Sequence, residues 1–371
     1  MSKIEDLIRQ YCPEGVEFVQ IKDIAKCSMG EFVHKSKQDP NAPYPVYNGG
    51  ITNTGFYKEY NTDENKVIVS ARGAGAGFVN VIERKFWAGN SCHIISVCNA
   101  DRTNYKYLFY ALKNIEEGLI GNQQKGGIPA VSKTQLETTS IPLPPLPVQQ
   151  EIVSILDNFT NLAAELQAEL QARQQQYNYY RDTLLSFEGR DDVQWKKLGE
   201  VCKVLRGKRL TKSQLSSDGM YKVFHGGIEP IGFFDQSNRE GDTTMVINVG
   251  ASAGTVGFSK EAFWSSDGCF CLSHTPILSG RFLYYYLQTK ESILMSRVRK
   301  AGIPTLDGKV LEDIPIPIIP IIEQERIISI LNRFDTLVND LSQGLPAEIE
   351  ARQQQYEYYR DQLLTFKRKE A

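Results

Sequence analysis

An eleven-residue segment that occurs twice constrains the fold of this 371-residue chain more than any other feature. Residues 172–182 read ARQQQYNYYRD and residues 351–361 read ARQQQYEYYRD, so ten of eleven residues match at an offset of 179. Further upstream the two halves match more weakly, at an offset of 177 over residues 16–92 and of 175 over residues 125–154. An internal repeat of this length predicts two copies of one structural unit.

Each copy ends in a segment with the periodicity of a long helix. Residues 148–187 contain neither proline nor glycine, and their apolar residues recur at a mean step of about 3.5, which is the coiled-coil period. The second copy has the same stripe but carries a helix breaker at 344–346, which predicts a kink. Two such stripes in one chain predict a helix pair. Its interface is predicted to consist of Ile152, Phe159, Leu166, Tyr177, Leu184, Ile327, Phe334, Leu341, Tyr356 and Leu363.

The segments that precede the helices have a mixed pattern. Apolar runs at 66–69, 93–97 and 244–248 are typical of strands, and short helical stretches lie between such runs. We therefore predict an α/β (α+β) fold, with a proline-rich linker before each helix that interrupts helix and sheet alike. The predicted boundaries are 1–146 for the first domain, 147–190 for the first long helix, 191–320 for the second domain and 321–371 for the second helix.

Composition excludes several classes of protein. No apolar run approaches the roughly 20 residues that span a bilayer, and the N-terminal segment lacks the apolar stretch of a signal peptide, so no membrane segment is expected. Seven cysteines without a C-x-x-C pair, together with only four histidines, argue against a zinc site. Reduced thiols in a cytoplasmic protein are the simpler interpretation.

Charge is distributed unevenly along the chain. The net charge is −2, but the two predicted domains are slightly basic and the two helical segments are acidic. Any prediction of DNA binding therefore rests on local clusters of basic residues and not on the net charge. For the clusters of the second copy we favour DNA contact over solvated loops, and for the first copy both alternatives stay open. The candidate DNA-binding residues are Lys35, Lys37, Arg72, Gln123, Gln124, Lys125, Arg206, Lys208, Arg209, Arg297, Arg299 and Lys300.

A glycine-rich turn follows the strand that begins near residue 66. Residues 73–77 read GAGAG, which suggests a loop for a nucleotide or S-adenosylmethionine. The spacing is G-x-G-x-G rather than G-x-G-x-x-G, and the second copy at 250–254 lacks the middle glycine, so we favour a tight strand connection. The sequence contains no methyltransferase tetrapeptide, no P-loop and no metal-spaced cluster, so we predict no catalytic residue, no metal site and no cofactor.

Taken together, the repeat resembles the specificity subunit of type I restriction–modification enzymes. The resemblance rests on two variable domains that each precede a near-identical helix, on the helix opening L-P-x-Q-x-x-I at 146–152, and on the segments 12–18 and 141–144. It spans the whole chain, although the second copy departs from the pattern at 320–324, where it keeps only Glu-Gln. The resemblance implies two target recognition domains and an antiparallel helix pair.

The resemblance also implies a function and partners. It implies a non-catalytic subunit that reads a bipartite target in double-stranded DNA and scaffolds two modification subunits, which carry the methyltransferase chemistry, and restriction subunits. Two alternatives remain at this point. One is a methyltransferase that uses the Gly73–Gly77 loop, and the other is a coiled-coil adaptor with no role on DNA. The target bases cannot be predicted, because direct readout depends on loop geometry.

Overall fold

The computed structural model of the chain describes residues 3–50, 52–121, 129–340 and 343–370. The chain divides into two compact units, one formed by Met1–Leu166 with Ile349–Ala371 and the other by Gln167–Glu348. Each unit therefore contains one domain together with parts of both helical segments.

The first half of the chain combines short strands and short helices and ends in one long helix. Its strands are β1 Glu17–Gln20, β2 Ala25–Met29, β3 Tyr44–Tyr47, β4 Gly55–Tyr57, β5 Lys66–Ser70, β6 Val79–Ile82, β7 Trp87–Ala88, β8 Cys92–Val97 and β9 Ser140–Leu143. Its helices are α1 Lys3–Tyr11, α2 Ile21–Ile24, α3 Tyr105–Asn114, α4 Glu116–Gly121, α5 Lys133–Thr138 and α6 Leu146–Leu184, with a 3-10 turn at Lys35–Lys37.

The second half repeats this order. Its strands are β10 Gln194–Lys197, β11 Cys202–Arg206, β12 Tyr221–Phe224, β13 Gly232–Phe234, β14 Thr243–Ile247, β15 Val256–Ser259, β16 Trp264–Ser265, β17 Cys269–His274 and β18 Pro315–Ile318. Its helices are α7 Leu198–Val201, α8 Gly280–Gln288, α9 Glu291–Ser296, α10 Gly308–Glu312, α11 Ile321–Asn339 and α12 Leu345–Leu364, with a 3-10 turn at Lys212–Gln214. The first domain below means β1 to β9, and the second domain means β10 to β18.

Within the described residues, the strands of the first domain form three sheets. A four-stranded antiparallel sheet has the order β2-β8-β5-β6, a three-stranded sheet has the order β4-β3-β7 with β3 and β7 parallel, and β1 pairs with β9. Side chains alternate across β5, so Val67 and Val69 join the main core while Ile68 faces a smaller cluster around Phe86. Burial on both faces explains why this strand reads as a continuous apolar run.

The second domain repeats the same sheets. The orders are β11-β17-β14-β15, β13-β12-β16 and β10 with β18, and β12 and β16 are again parallel. Along β14 the alternation also recurs, since Val246 joins the main core whereas Met245 and Ile247 face a cluster that contains Phe263. The predicted α/β fold with an internal repeat is therefore confirmed strand by strand.

The proline-rich linkers differ from the prediction. They were expected to interrupt sheet as well as helix, but they form β9 and β18, and Pro142 and Pro317 lie opposite Phe18 and Trp195 in the pairing. Among the residues that the structure describes, each of these strands pairs with a single partner, so its other edge needs no backbone donor. Proline is tolerated in strands with such a free edge.

The helical segments confirm the predicted long helices and their antiparallel order. Helix α6 has 39 residues, and in the first unit its residue Phe159 stacks on Tyr359 of α12 with ring centroids 5.5 Å apart. In the second unit Tyr180, near the other end of α6, stacks on Phe334 of α11 at 5.4 Å. The early part of α6 thus meets the late C-terminal helix, and the late part of α6 meets the earlier one.

The second helical segment is interrupted between α11 and α12. Gly344 lies in the interruption, and a side chain there would meet the carbonyl oxygen of Thr336 at 2.5 Å. Helix α12 resumes at Leu345 and has Pro346 in its first turn, where the missing backbone N–H costs nothing.

The predicted interface residues occupy two kinds of position. The side chains of Ile152, Leu166, Tyr177, Ile327 and Leu363 are buried. Those of Phe159, Leu184, Phe334 and Tyr356 are half-buried, and Leu341 lies outside the described residues. Some of these side chains also face their domain, since the Tyr177 hydroxyl donates a hydrogen bond to Gln288 of α8 at 3.2 Å. The interface as a whole stays a prediction.

Candidate nucleic-acid interface

Polar side chains fix each domain to its helical segment in the same way twice. Gln149 is fully buried, accepts a hydrogen bond from the backbone N–H of Asn104 and donates to the carbonyls of Arg102 and Pro144. Gln324 is buried in the same way. It accepts a hydrogen bond from the N–H of Ser279 and donates to the carbonyls of Ile277 and Ile319. The glutamine of the helix-opening motif is therefore the residue that joins the helix to the domain.

A second polar contact between domain and helical segment occurs in both units, but different residue types form it. In the first unit Lys106 and Tyr110 of α3 bind Asp157 of α6 at 2.8 and 2.7 Å. In the second unit Arg281 and Tyr285 of α8 bind Asn332 of α11 at 3.0 and 2.7 Å. Burial would lower the pKa of Lys106, but its hydrogen bonds to Asp157 and Glu83 raise that pKa overall. These contacts orient each domain on its helix.

The glycine-rich turn is a tight connection in both domains. In the first, the N–H of Gly73 donates to the carbonyl of Pro129 at 2.9 Å and the N–H of Gly77 to that of Ser70 at 2.8 Å. Gly250 and Gly254 make the same bonds at 3.0 and 2.8 Å, and all four glycines have φ between +92° and +96°. The backbone needs glycine there, and these N–H groups are already used, which argues against a phosphate or cofactor loop.

The structure brings together two of the clusters that the sequence placed far apart. Arg72, which precedes the first glycine turn, forms a backbone bridge with Ala130. In the second domain Val249 and Arg299 both form backbone bridges with Thr305, so the 297–300 cluster lies beside the second glycine turn. The counterpart residues Gln123, Gln124 and Lys125 lie outside the described residues.

Apart from Arg206, which is the last residue of β11, the remaining candidate cations lie on one equivalent loop in each domain. Lys35 and Lys37 are in the loop between β2 and β3, whose Glu31 carbonyl accepts a hydrogen bond from the indole of Trp87 at 2.8 Å. In the second domain the indole of Trp264 donates to the carbonyl of Lys208 at the same distance. An anchor shared by the two domains therefore holds a loop whose other residues differ.

All the described candidate cations are exposed. Over residues 3–50, 52–121, 129–340 and 343–370, none of them forms an ion pair. Lys113 and Arg281 behave differently, since each is paired with a carboxylate at 2.6 Å. Exposed cations without a carboxylate partner are available to phosphate groups, which supply most of the affinity of proteins for DNA.

A groove of about 880 Å³ lies in the second domain, and its lining includes Arg206, Arg209 and Lys212. The same groove contains three residues that the sequence analysis did not single out, namely His225, Asn248 and Asp267. The signal that could have found them is the offset of 177, which places His225 opposite Asn48 and Asn248 opposite Ala71. These positions carry different chemistry in the two copies.

Burial makes two of the cysteines poor nucleophiles. All seven are free thiols, and burial raises the pKa of Cys92 and of Cys202 to about 12. Such thiols are protonated at neutral pH and are therefore poor nucleophiles and metal ligands. Among the described residues no three His, Cys, Asp or Glu side chains are grouped as a metal site requires. In the same part of the chain no helix is long and apolar enough to cross a membrane.

The chain contains one scaffold twice, and a long helix follows each copy. The two copies share their anchors and differ in their exposed side chains, which defines a two-domain recognition protein. The sequence model of the type I restriction–modification DNA specificity domain matches residues 13–173 and 190–351, and the chain belongs to this family.

Individual relatives agree with this assignment. The chain is 33% identical over 308 residues to the EcoR124I/EcoR124II specificity subunit of Escherichia coli. The matched region covers 75% of this chain and 74% of that protein. It is 32% identical over 364 residues, with 90% of each chain covered, to a Haemophilus influenzae protein named provisionally as a type I specificity subunit. A crystal structure of a type I S subunit from M. genitalium has the same fold, with a TM-score of 0.73, 20% identity and coverage of 94% of this chain and 96% of that chain.

Proposed function

We propose that this chain is the DNA sequence-specificity subunit of a type I restriction–modification complex, and that each domain reads one half of a bipartite target in double-stranded DNA. The observation that carries the proposal is one scaffold with two sets of exposed side chains. The anchors Trp87 and Trp264 are shared, whereas Phe32 in the first domain stands where Arg209 stands in the second. Bases are distinguished by such side chains, so different sets predict unrelated half-sites.

The subunit is proposed to be non-catalytic and to act with partners. Two modification subunits would supply the methyltransferase chemistry, and restriction subunits would join them. The repeat supports the number two, because Tyr179 and Tyr358 occupy equivalent helix positions and are 67% and 62% exposed. Exposed aromatic residues of this kind are enriched at protein interfaces. A cytoplasmic location, expected from the use of cysteine, stays a prediction.

A domain replacement tests independent reading by the two domains. Residues 16–140 are exchanged for the first domain of another family member, and the complex with its modification subunits is mapped for methylated sites. One half-site should change and the other should keep its bases. A change in both half-sites would contradict the proposal.

The alternative of a methyltransferase is tested on the isolated chain. We expect no methyl transfer from S-adenosylmethionine and no binding of that cofactor, because the N–H groups of Gly73, Ala76 and Gly77 in this turn already donate to backbone carbonyls. Turnover by the pure chain, with modification subunits shown to be absent, would overturn the proposed role.

A further inference from the structure

Two buried polar atoms in the groove of the second domain lack a hydrogen-bond partner among the described residues. They are Nδ1 of His225 and Oδ1 of Asn248. Asn248 is only 3% exposed, and its backbone is fixed, because its N–H donates to Gly268 at 3.1 Å and its carbonyl accepts from Leu306 at 2.8 Å. Since buried polar atoms in proteins are nearly always paired, an acceptor left open on the wall of a groove is one that a ligand can satisfy.

The surroundings of these atoms indicate the class of ligand. Arg206, Arg209 and Lys212 line the same groove and are exposed. One carboxylate oxygen of Asp267 lies 3.4 Å from Nδ1 of His225 without a hydrogen bond between them, and 41% of the His225 side chain remains exposed. Exposed cations beside unpaired polar atoms match what DNA offers, namely phosphates next to base edges.

On the basis of the proposed function, we infer that this groove reads a base of the second half-site and that Asn248 is a specificity-determining residue there. The base is an adenine. A side-chain amide can accept from the adenine N6 amine and donate to N7 in the major groove, and no other base offers that pair of groups. His225 makes a second polar contact at the same site, and the three cations contact phosphates.

The first domain provides matched substitutions. At the position of Asn248 it has Ala71, and at the position of His225 it has Asn48, whose Oδ1 accepts a hydrogen bond from the N–H of Ser91 at 3.3 Å. Asn248→Ala and His225→Asn therefore install residues that the same scaffold already carries. The half-site read by the first domain serves as the internal control for folding and assembly.

The experiment is methylation mapping with the full-length chain in complex with its modification subunits. Asn248→Ala should relax one position of the second half-site from adenine to any base, with a loss of discrimination of roughly 5- to 150-fold. Asn248→Asp keeps an acceptor but loses the donor, so it should shift the preference at that position toward cytosine. The first half-site should be unchanged in both variants.

Several outcomes would overturn the inference. An unchanged second half-site in both variants removes Asn248 from base reading while the proposed function stands. A wild-type complex whose methylation shows no sequence preference contradicts the proposed function itself. If Asn248→Ala abolishes methylation, thermal unfolding shows whether the variant folds. A folded variant that reads neither half-site counts against the groove, and if it does not fold, the isosteric Asn248→Asp and the counterpart variant His225→Asn decide.

Discussion

At the scale of single residues, the buried glutamine at the start of each helical segment predicts a large effect on stability. Gln149→Ala would leave the N–H of Asn104 and the carbonyls of Arg102 and Pro144 without their bonds. Each buried group left unpaired costs about 1–3 kcal/mol, so we expect the free energy of unfolding to fall by at least about 2 kcal/mol. Chemical denaturation of the purified chain measures it.

The adjacent residue provides the control for this prediction. Gln150 has the same side chain on the same turn of α6 but is exposed, so Gln150→Ala should change the free energy of unfolding by less than about 0.5 kcal/mol. Equal effects of the two substitutions would show that the hydrogen bonds of Gln149 do not hold the helix to the domain.

The exposed cations of the second domain predict effects on DNA binding instead. The backbone of Arg299 forms two hydrogen bonds with that of Thr305, at 2.9 and 3.1 Å, and its side chain is exposed to solvent. Arg299→Ala or Lys300→Ala should weaken DNA binding by the assembled complex. Loss of a phosphate contact lowers the salt slope of log K by about one, whereas loss of a base contact costs about 1–3 kcal/mol at one position.

A lysine elsewhere in the second domain controls for the change in net charge. Lys309 is also exposed, but it lies 3.6 Å from Glu312 in an ion pair. Lys309→Ala removes the same charge and should leave affinity and salt slope nearly unchanged. If Arg299→Ala and Lys300→Ala leave both quantities as they are in wild type, the 297–300 cluster is not part of the interface.

The sequence allowed some of these residues to be found and not others, for a physical reason. A cluster of lysine and arginine residues in a short segment can be read directly from the sequence. The nine candidate cations that the structure describes are exposed. The role of Gln149 and the unpaired acceptor of Asn248 depend on which backbone groups lie within about 3 Å, and two of the three groups bonded to Gln149 come from residues 45 and 47 positions away. Composition and periodicity carry no such distances.

At the scale of elements, the glycine turn after β14 predicts two different penalties. Gly250 and Gly254 both have φ of +96°, so alanine at either position costs about 1–2 kcal/mol of backbone strain. A Cβ at Gly250 finds only ordinary contacts, whereas at Gly254 it would lie 2.9 Å from the backbone nitrogen of Met295. Gly254→Ala should therefore lower the free energy of unfolding by about 1–3 kcal/mol more than Gly250→Ala.

Denaturation of both variants, each against wild type, measures the difference. The pair of variants also bears on the alternative of a cofactor loop, because a ligand-binding glycine would matter for activity more than for stability. Equal penalties at the two positions would mean that Met295 moves away freely and that the packing of the turn on α9 is loose.

Elements with a strong period were predictable, and elements set by pairing were not. The stripe of α6 follows from its step of about 3.5 residues, and the apolar run of β5 follows from burial of both of its faces. The strand character of β9 and β18 was missed, because proline is normally excluded from sheets and only the free edge of a two-stranded pair admits it. The parallel pairing of β3 with β7 joins residues 41 apart and has no local signal.

At the scale of the whole molecule, the internal repeat is the feature that sequence and structure share most completely. The order of strands and helices recurs from β1 to β9 and from β10 to β18, although the domain sequences diverge. The repeat also fixes how each domain joins its helix, since Gln149 and Gln324 lie at equivalent positions. Divergence is therefore concentrated where the side chains do not support the scaffold, which is where two targets would be read.

The helix α6 predicts how the distance between the two half-sites is set. It contains the tetrapeptide Ala-Glu-Leu-Gln in tandem at 164–167 and 168–171, and the boundary between the two compact units falls inside this tandem, after Leu166. One more copy adds about 6 Å of helix and about 400° of rotation, close to a whole turn, so the apolar stripe keeps its phase. An insertion of two or three residues would rotate the stripe away.

We expect this four-residue insertion to lengthen only the unspecified spacer of the target, by one or two base pairs, because 6 Å is less than two steps of about 3.4 Å along DNA. The contacts inside each unit are untouched, and the other boundary between the units, after Glu348, closely follows the helix interruption at Gly344. Methylation mapping of the insertion variant with its modification subunits measures the spacer, and a two-residue insertion serves as the out-of-phase control. An unchanged spacer in an active complex would show that another element sets the distance, and altered half-site bases would show that the helix shapes the reading surfaces themselves.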